Sequence, residues 1–126
     1  MSKYLIDTSI IIDYLRNHQP TIKLVDELLR ERNQFYISVL TQAELYSGRS
    51  TKKYAFRQSL AALTVAFRKI PLDEETAIGA GYLKRDYQVT LFDAIIAATA
   101  INSRMALITR DKDFSQIKVL KKLKII

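Results

Sequence analysis

The chain's 126 residues suffice for one packed core and leave no room for a second, and a 48% hydrophobic content supplies the material for it. With 26% charged residues, three Gly and two Pro, it lacks the polar, breaker-rich composition of a disordered protein. Twenty Lys and Arg against 13 Asp and Glu leave a net charge of +7, which suits a polyanionic partner such as nucleic acid but also serves solubility.

Cys is absent, which excludes disulfides, and His18 stands alone, so no set of soft ligands exists for zinc or iron. Any metal must be held by oxygen. The opening Met1–Leu15 segment has only short apolar runs, broken by Asp7 and Asp13, and suits neither a secretion signal nor a membrane span. The expected location is cytoplasmic.

In chain order, Tyr4-Leu5-Ile6 reads as a short buried strand, and Ile10, Ile11, Tyr14 and Leu15 repeat at the spacing of one helical face. From Pro20, the stripe Ile22, Val25, Leu28 and Leu29 marks a second amphipathic helix, followed by a strand at Phe35-Tyr36-Ile37. Thr41 to Gly48 predicts a short helix closed by Gly, Lys52 to Phe67 a basic helix, and Lys69 to Leu72 a third strand. Glu74 to Arg85 is expected to be helical. Leu91 to Ser103 is an Ala-rich helix so apolar that it must be buried, either on the sheet or at a subunit interface. Ala106-Leu107-Ile108 is a further strand, and Lys118 to Ile126 an edge strand whose lysines discourage aggregation. The alternation of strands and helices predicts an α/β fold in one domain.

Four carboxylates recur at equivalent places: Asp7 after the first strand, Glu44 after the second, Asp93 entering the apolar helix, and Asp111 after the fourth strand. In an open parallel sheet the strand C-termini share one edge, so residues far apart in sequence meet in one crevice. Crowded carboxylates repel, and a hard divalent cation, Mg2+ or Mn2+, is the usual compensation. Such a cation activates water and polarises phosphate, which fits phosphodiester hydrolysis.

Each acid also has a structural reading. Asp7, Glu44 and Asp93 lie where a helix N-terminus welcomes negative charge, and both Thr41 to Glu44 and Thr90 to Asp93 fit capping boxes. Asp111 fits a turn, and Asp113 stands close enough to replace it in any role. Asp13 and Asp86 read as solvated helical faces, Asp73 as a cap, and Glu74 and Glu75 as first-turn residues. His18, beside Asn17, Gln19 and Pro20, reads as a loop residue, and the aromatics as core, with Tyr46 a candidate exception.

Leu5-Ile6-Asp7-Thr8-Ser9 and Thr41-Gln42-Ala43-Glu44-Leu45 with Gly48 resemble the opening motifs of PIN domains of the VapC toxin type. Leu91 to Ala100, carrying Asp93, and Leu107 to Phe114, carrying Asp111 and Asp113, resemble that family's later acidic segments. The resemblance covers nearly the whole chain and implies a PIN-like α/β/α sandwich around a mostly parallel sheet. It also implies Asp7, Glu44, Asp93 and Asp111 as metal-site and catalytic positions, with Thr8 and Thr109 as supporting hydroxyls. The implied activity is a Mg2+- or Mn2+-dependent endoribonuclease, the toxin of a toxin–antitoxin pair, acting on tRNA or rRNA as a homodimer and silenced by a VapB-like antitoxin. Arg49, Lys52, Lys53 and Arg110 are candidate RNA contacts. The chain departs from its relatives at Asp86-Tyr87-Gln88, where they often place Gly. A receiver-type phosphoacceptor domain is the competing parallel-sheet reading, but Asp7 is followed by Thr8 rather than a second acid, and Ile37-Ser38-Val39 offers no Asp. A fold retained only for binding RNA or antitoxin is the other.

Overall fold

A computed structural model describes residues 2–124, with the side chains of 123 and 124 left out. Five strands, β1 (Lys3–Ile6), β2 (Gln34–Ser38), β3 (Arg68–Ile70), β4 (Ala106–Thr109) and β5 (Lys122–Lys124), form one sheet in the order β3-β2-β1-β4-β5. Every pairing is parallel, so all five strand C-termini lie along one edge. The two central strands, β1 and β4, are almost uniformly apolar because helices cover both of their faces.

Alternation along those strands sorts the core into two layers. Ile6 and Ile108 point to one face, where they meet α1 (Thr8–Leu15), α2 (Gln19–Arg30) and α4 (Tyr54–Thr64) through Ile10, Val25 and Leu60. Leu5 and Leu107 point to the other, against α5 (Glu74–Asp86) and α6 (Leu91–Asn102). In α6, Ala94, Ile96, Ala97, Ala98 and Ala100 are all buried within this chain's own core. Their small side chains let α5 and the sheet close on the helix from two sides. Core packing therefore accounts for the Ala-rich sequence, while Ile95 and Ile101 are only partly buried and Leu91 is exposed.

Several boundaries differ from those read off the sequence. The helix expected to start at Thr41 is α3 (Val39–Tyr46), which begins earlier because the Ser38 hydroxyl accepts from the Leu40 N–H at 3.1 Å. Glu44 thus falls in its last turn, and the Thr41 to Glu44 capping box does not form. Thr41 is instead fully buried, with its hydroxyl unpartnered. Gly48 keeps an ordinary φ of −70°, so it does not close α3 in a left-handed conformation. The basic helix expected from Lys52 breaks into a 3-10 turn (Arg49–Lys52) and the shorter α4. His18 sits at the N-cap of α2, with Nδ1 2.8 Å from the Thr21 hydroxyl. The last strand is confined to Lys122–Lys124 at the sheet edge; the remainder of that expected strand, 125–126, lies outside the described residues.

Candidate metal centre

β1 ends at Ile6, so Asp7 is delivered to the C-terminal edge of the sheet, where it N-caps α1. The side chain is 5% exposed and accepts three hydrogen bonds. Oδ1 takes one from the Thr8 N–H at 2.9 Å, and Oδ2 takes two, from the hydroxyls of Ser9 at 3.1 Å and Thr109 at 2.7 Å. Thr109 ends the neighbouring β4, and its hydroxyl in turn accepts the Asp111 N–H at 3.0 Å. Asp111 Oδ1 then accepts the Asp113 N–H at 2.9 Å, fixing the start of a 3-10 turn (Lys112–Gln116). One chain of hydrogen bonds therefore ties the first strand to the acidic turn after the fourth.

Asp93 arrives from the first turn of α6, which Thr90 caps by accepting the Asp93 N–H at 3.1 Å. This part of the capping reading holds, and the Asp93 carboxylate, itself near the Thr90 hydroxyl, still lines the cleft. Carboxylate oxygens of Asp93, Asp111 and Asp113 lie within 4.8 Å of one another. Together with Asp7, Thr8, Ser9, Glu44, Thr90 and Phe92 they line a cleft of about 440 Å³. The sequence left Asp111 and Asp113 as alternatives; the turn brings both to the same cleft.

Crowding shows in the protonation equilibria. Asp93 is pushed up to about 6, first by burial and then by the charges of Asp111, Asp7 and Asp113, against the Thr90 hydrogen bond. Asp7 is raised by burial and slightly by Asp111, although the bonds from Thr109, Ser9 and Thr8 favour its charged form. In the metal-free chain these carboxylates thus oppose one another, which is the condition a cation relieves.

The donor set fits a hard divalent cation. All side-chain donors facing the cleft are oxygens, three carboxylates are close enough to share an ion, and the Thr8 hydroxyl is buried beside them without a partner. Nitrogen and sulfur ligands suited to zinc are lacking among these residues.

The basic residues proposed for RNA disperse. Arg110 points away from the cleft to pair with Asp13 on α1, at 2.7 Å, so Asp13 is an ion-pair partner rather than a plain solvated face. Arg49 lines a separate groove of about 310 Å³ with Ile12, Arg16, Leu45 and Phe56, while Lys52 and Lys53 are exposed beside it. Tyr46 is 43% exposed, without a ring partner among the described residues.

Two features of the site escaped the sequence. Ser9 supports Asp7, a role signalled only by its position in the first turn of α1. The segment where Gly was expected is held by Gln116, whose side chain accepts from the Gln88 N–H at 3.3 Å and donates to the Gln88 carbonyl at 3.1 Å. A side-chain amide thus clamps this loop onto the acidic turn.

The family model described as PIN domain matches residues 4–120. No curated protein matches the chain by sequence. Among solved structures, a toxin–antitoxin complex from Klebsiella pneumoniae is 31% identical, with a TM-score of 0.80 over 93% of this chain and 94% of that one. VapBC2 from Rickettsia felis, bound to a DNA fragment from its promoter, is 25% identical, with a TM-score of 0.83 over 98% and 99%. VapBC-1 from nontypeable Haemophilus influenzae, at 22% identity, shares the fold with a TM-score of 0.81 over 97% of both chains. With the family's pattern running from the first strand almost to the last, and an α/β/α fold matched across nearly the whole chain, this protein belongs to the PIN domain family.

Proposed function

We propose that the chain, as a single domain spanning residues 1–126, is a metal-dependent endoribonuclease and the toxin of a toxin–antitoxin pair. The observation that carries this reading is the convergence of Asp7, Glu44, Asp93, Asp111 and Asp113 on one cleft in a PIN-family chain. The toxin role is supported by the likeness to the Klebsiella and Rickettsia complexes. The substrate is RNA, tRNA or rRNA, and the inhibitor a small VapB-like antitoxin. Homodimerisation accompanies it, through helices near Ala94 to Ile101 or through α2.

In this mechanism Asp7, Glu44, Asp93 and Asp111, with Asp113 beside them, would hold Mg2+ or Mn2+, directly or through water. Bound there, a divalent cation supplies neutralising charge and Lewis acidity at the scissile phosphate. The protein's own part is to keep that site assembled before substrate arrives. Thr109 and Ser9 fix the Asp7 carboxylate, and the Thr90 cap fixes the start of α6 and with it Asp93. Thr8 would offer its hydroxyl, and Glu44 its carboxylate, to a water held in the cleft. An antitoxin arginine placed among the same acids competes for this site, since a guanidinium pairs bidentately with carboxylate.

The test is cleavage of purified tRNA and rRNA followed by sequencing of the new ends. Cleavage is expected with Mg2+ or Mn2+ and is expected to stop with chelator. An intact RNA pool under metal-replete conditions, from protein shown to be folded, overturns the nuclease reading and leaves a binding role.

A further inference from the structure

At the opposite end of the strands from the acids lies a second cleft, of about 520 Å³, lined by Ser2, Lys3, Tyr4, Arg104, Lys121 and Lys122 among others. Its origin is a gap in the helical layer. The α1, α2 and α4 layer packs over β1 and β2, while Ala106 and Lys121, the neighbours of Tyr4 across β4 and β5, stay partly or largely exposed. We propose that this basal cleft binds the phosphodiester backbone of RNA, away from the acidic site.

Three observations carry the proposal. Lys3, Arg104 and Lys121 are exposed, and none has a carboxylate within ion-pair distance among the described residues. They stand at the starts of three adjacent strands, so at about 4.8 Å per strand the row spans about 10 Å. That length is enough to reach consecutive phosphates of one nucleic-acid strand. The acidic N-terminus of α5, Asp73 to Glu75, lies at this same end, since Thr76 accepts from Asn102 two residues before Arg104, but none of its carboxylates forms an ion pair with the row. Glu31 is also tied to this end, accepting from Asn33, itself bonded to the Ser2 N–H.

The third observation is the backbone at Arg104. It follows the C-cap of α6 with φ of 55°, the left-handed region that favours Gly. A guanidinium is thus held at a position that stability alone assigns to Gly. Asn17 and Arg32 share this left-handed region, so at Arg104 the backbone serves only to fix where the guanidinium starts from.

The inference does not need the nuclease reading, because binding is measured without cleavage. In chelator, anisotropy of labelled bulk tRNA is titrated at several salt concentrations with wild type, with Arg104→Gly/Lys121→Gln, and with Lys23→Gln/Lys84→Gln, which removes the same charge elsewhere. Arg104→Gly suits the local backbone, so the basal variant is expected to keep its thermal midpoint. It is also expected to bind at least tenfold more weakly, with a log–log salt slope shallower by about two. The control variant is expected to change neither by as much. Equal losses in both variants, or an unchanged slope in the basal one, overturn the proposal. So does tighter binding of phosphatidylserine vesicles than of tRNA, which would make the cleft a membrane contact.

Discussion

On one wall of the acidic cleft Asp7 is buried and held by three hydrogen bonds, whereas across it Glu44 is exposed on the last turn of α3 and its carboxylate takes none among the described residues. The β1/β4 wall is rigid before any ligand arrives, because strand pairing and the Thr109 relay set its atoms. The α3 wall is set only by the helix carrying it. One side of the cleft is built to position a cation, and the other is left free to follow substrate.

The sharpest way to break this comparison is to neutralise one acid from each wall. Asp7→Asn and Glu44→Gln are each expected to reduce RNA cleavage to background, but Glu44→Gln should leave the melting temperature of the metal-free protein unchanged, while Asp7→Asn should not lower it. An Asn at position 7 still caps α1, and removing the buried charge relieves its desolvation, so the midpoint should hold or rise. A falling midpoint for Asp7→Asn, or a shifted one for Glu44→Gln, would contradict the assigned difference.

A smaller effect is expected from the relay itself. Thr109→Val leaves the Asp111 N–H and Asp7 Oδ2 each short of a partner, at about 1–3 kcal/mol of stability. Metal affinity should fall roughly 10- to 100-fold, as for other residues that orient ligands, and calorimetric titration with Mn2+ reads it directly.

Protonation sharpens the picture further. The folded chain holds Asp93 at about 6 against an ordinary 3.8, so folding favours its neutral form. That contribution is complete below about pH 4 and is lost as pH rises towards 6. Urea unfolding without metal should therefore show Asp93→Asn gaining stability over wild type at pH 7 and little at pH 4. Added magnesium should shrink the gap, since it binds the charged form only.

The smallest effect concerns α3. Thr41→Val replaces a buried, unpartnered hydroxyl with a methyl group, and denaturant titration should show it neutral or stabilising by about 1 kcal/mol. A loss above that amount would mean the hydroxyl is engaged after all.

These contrasts also mark what the sequence made legible. Asp7, Asp93 and Asp111 were readable because each follows an apolar strand or opens an apolar helix, and the parallel topology does the rest. Ser38 and Thr41 stand three residues apart and either can start a helix; burial of Thr41 in the finished core decided between them, and only the fold reveals it. The ion pair of Arg110 was not legible because its partner Asp13 lies 97 residues away. Asp113 was undecidable because the turn that aims it depends on a hydrogen bond between neighbours. Arg104 gave no signal, since a left-handed residue is read from Gly or Asn and here is neither.

The bond from Thr109 to Asp7 spans 102 residues and joins the second structural segment made to one of the last. Translation at about 5–20 residues per second separates the two by roughly 5–20 s. Until β4 emerges and docks beside β1, Asp7 has neither its anchor nor Asp111 as a neighbour. The acidic cleft therefore assembles only once β4 has docked beside β1.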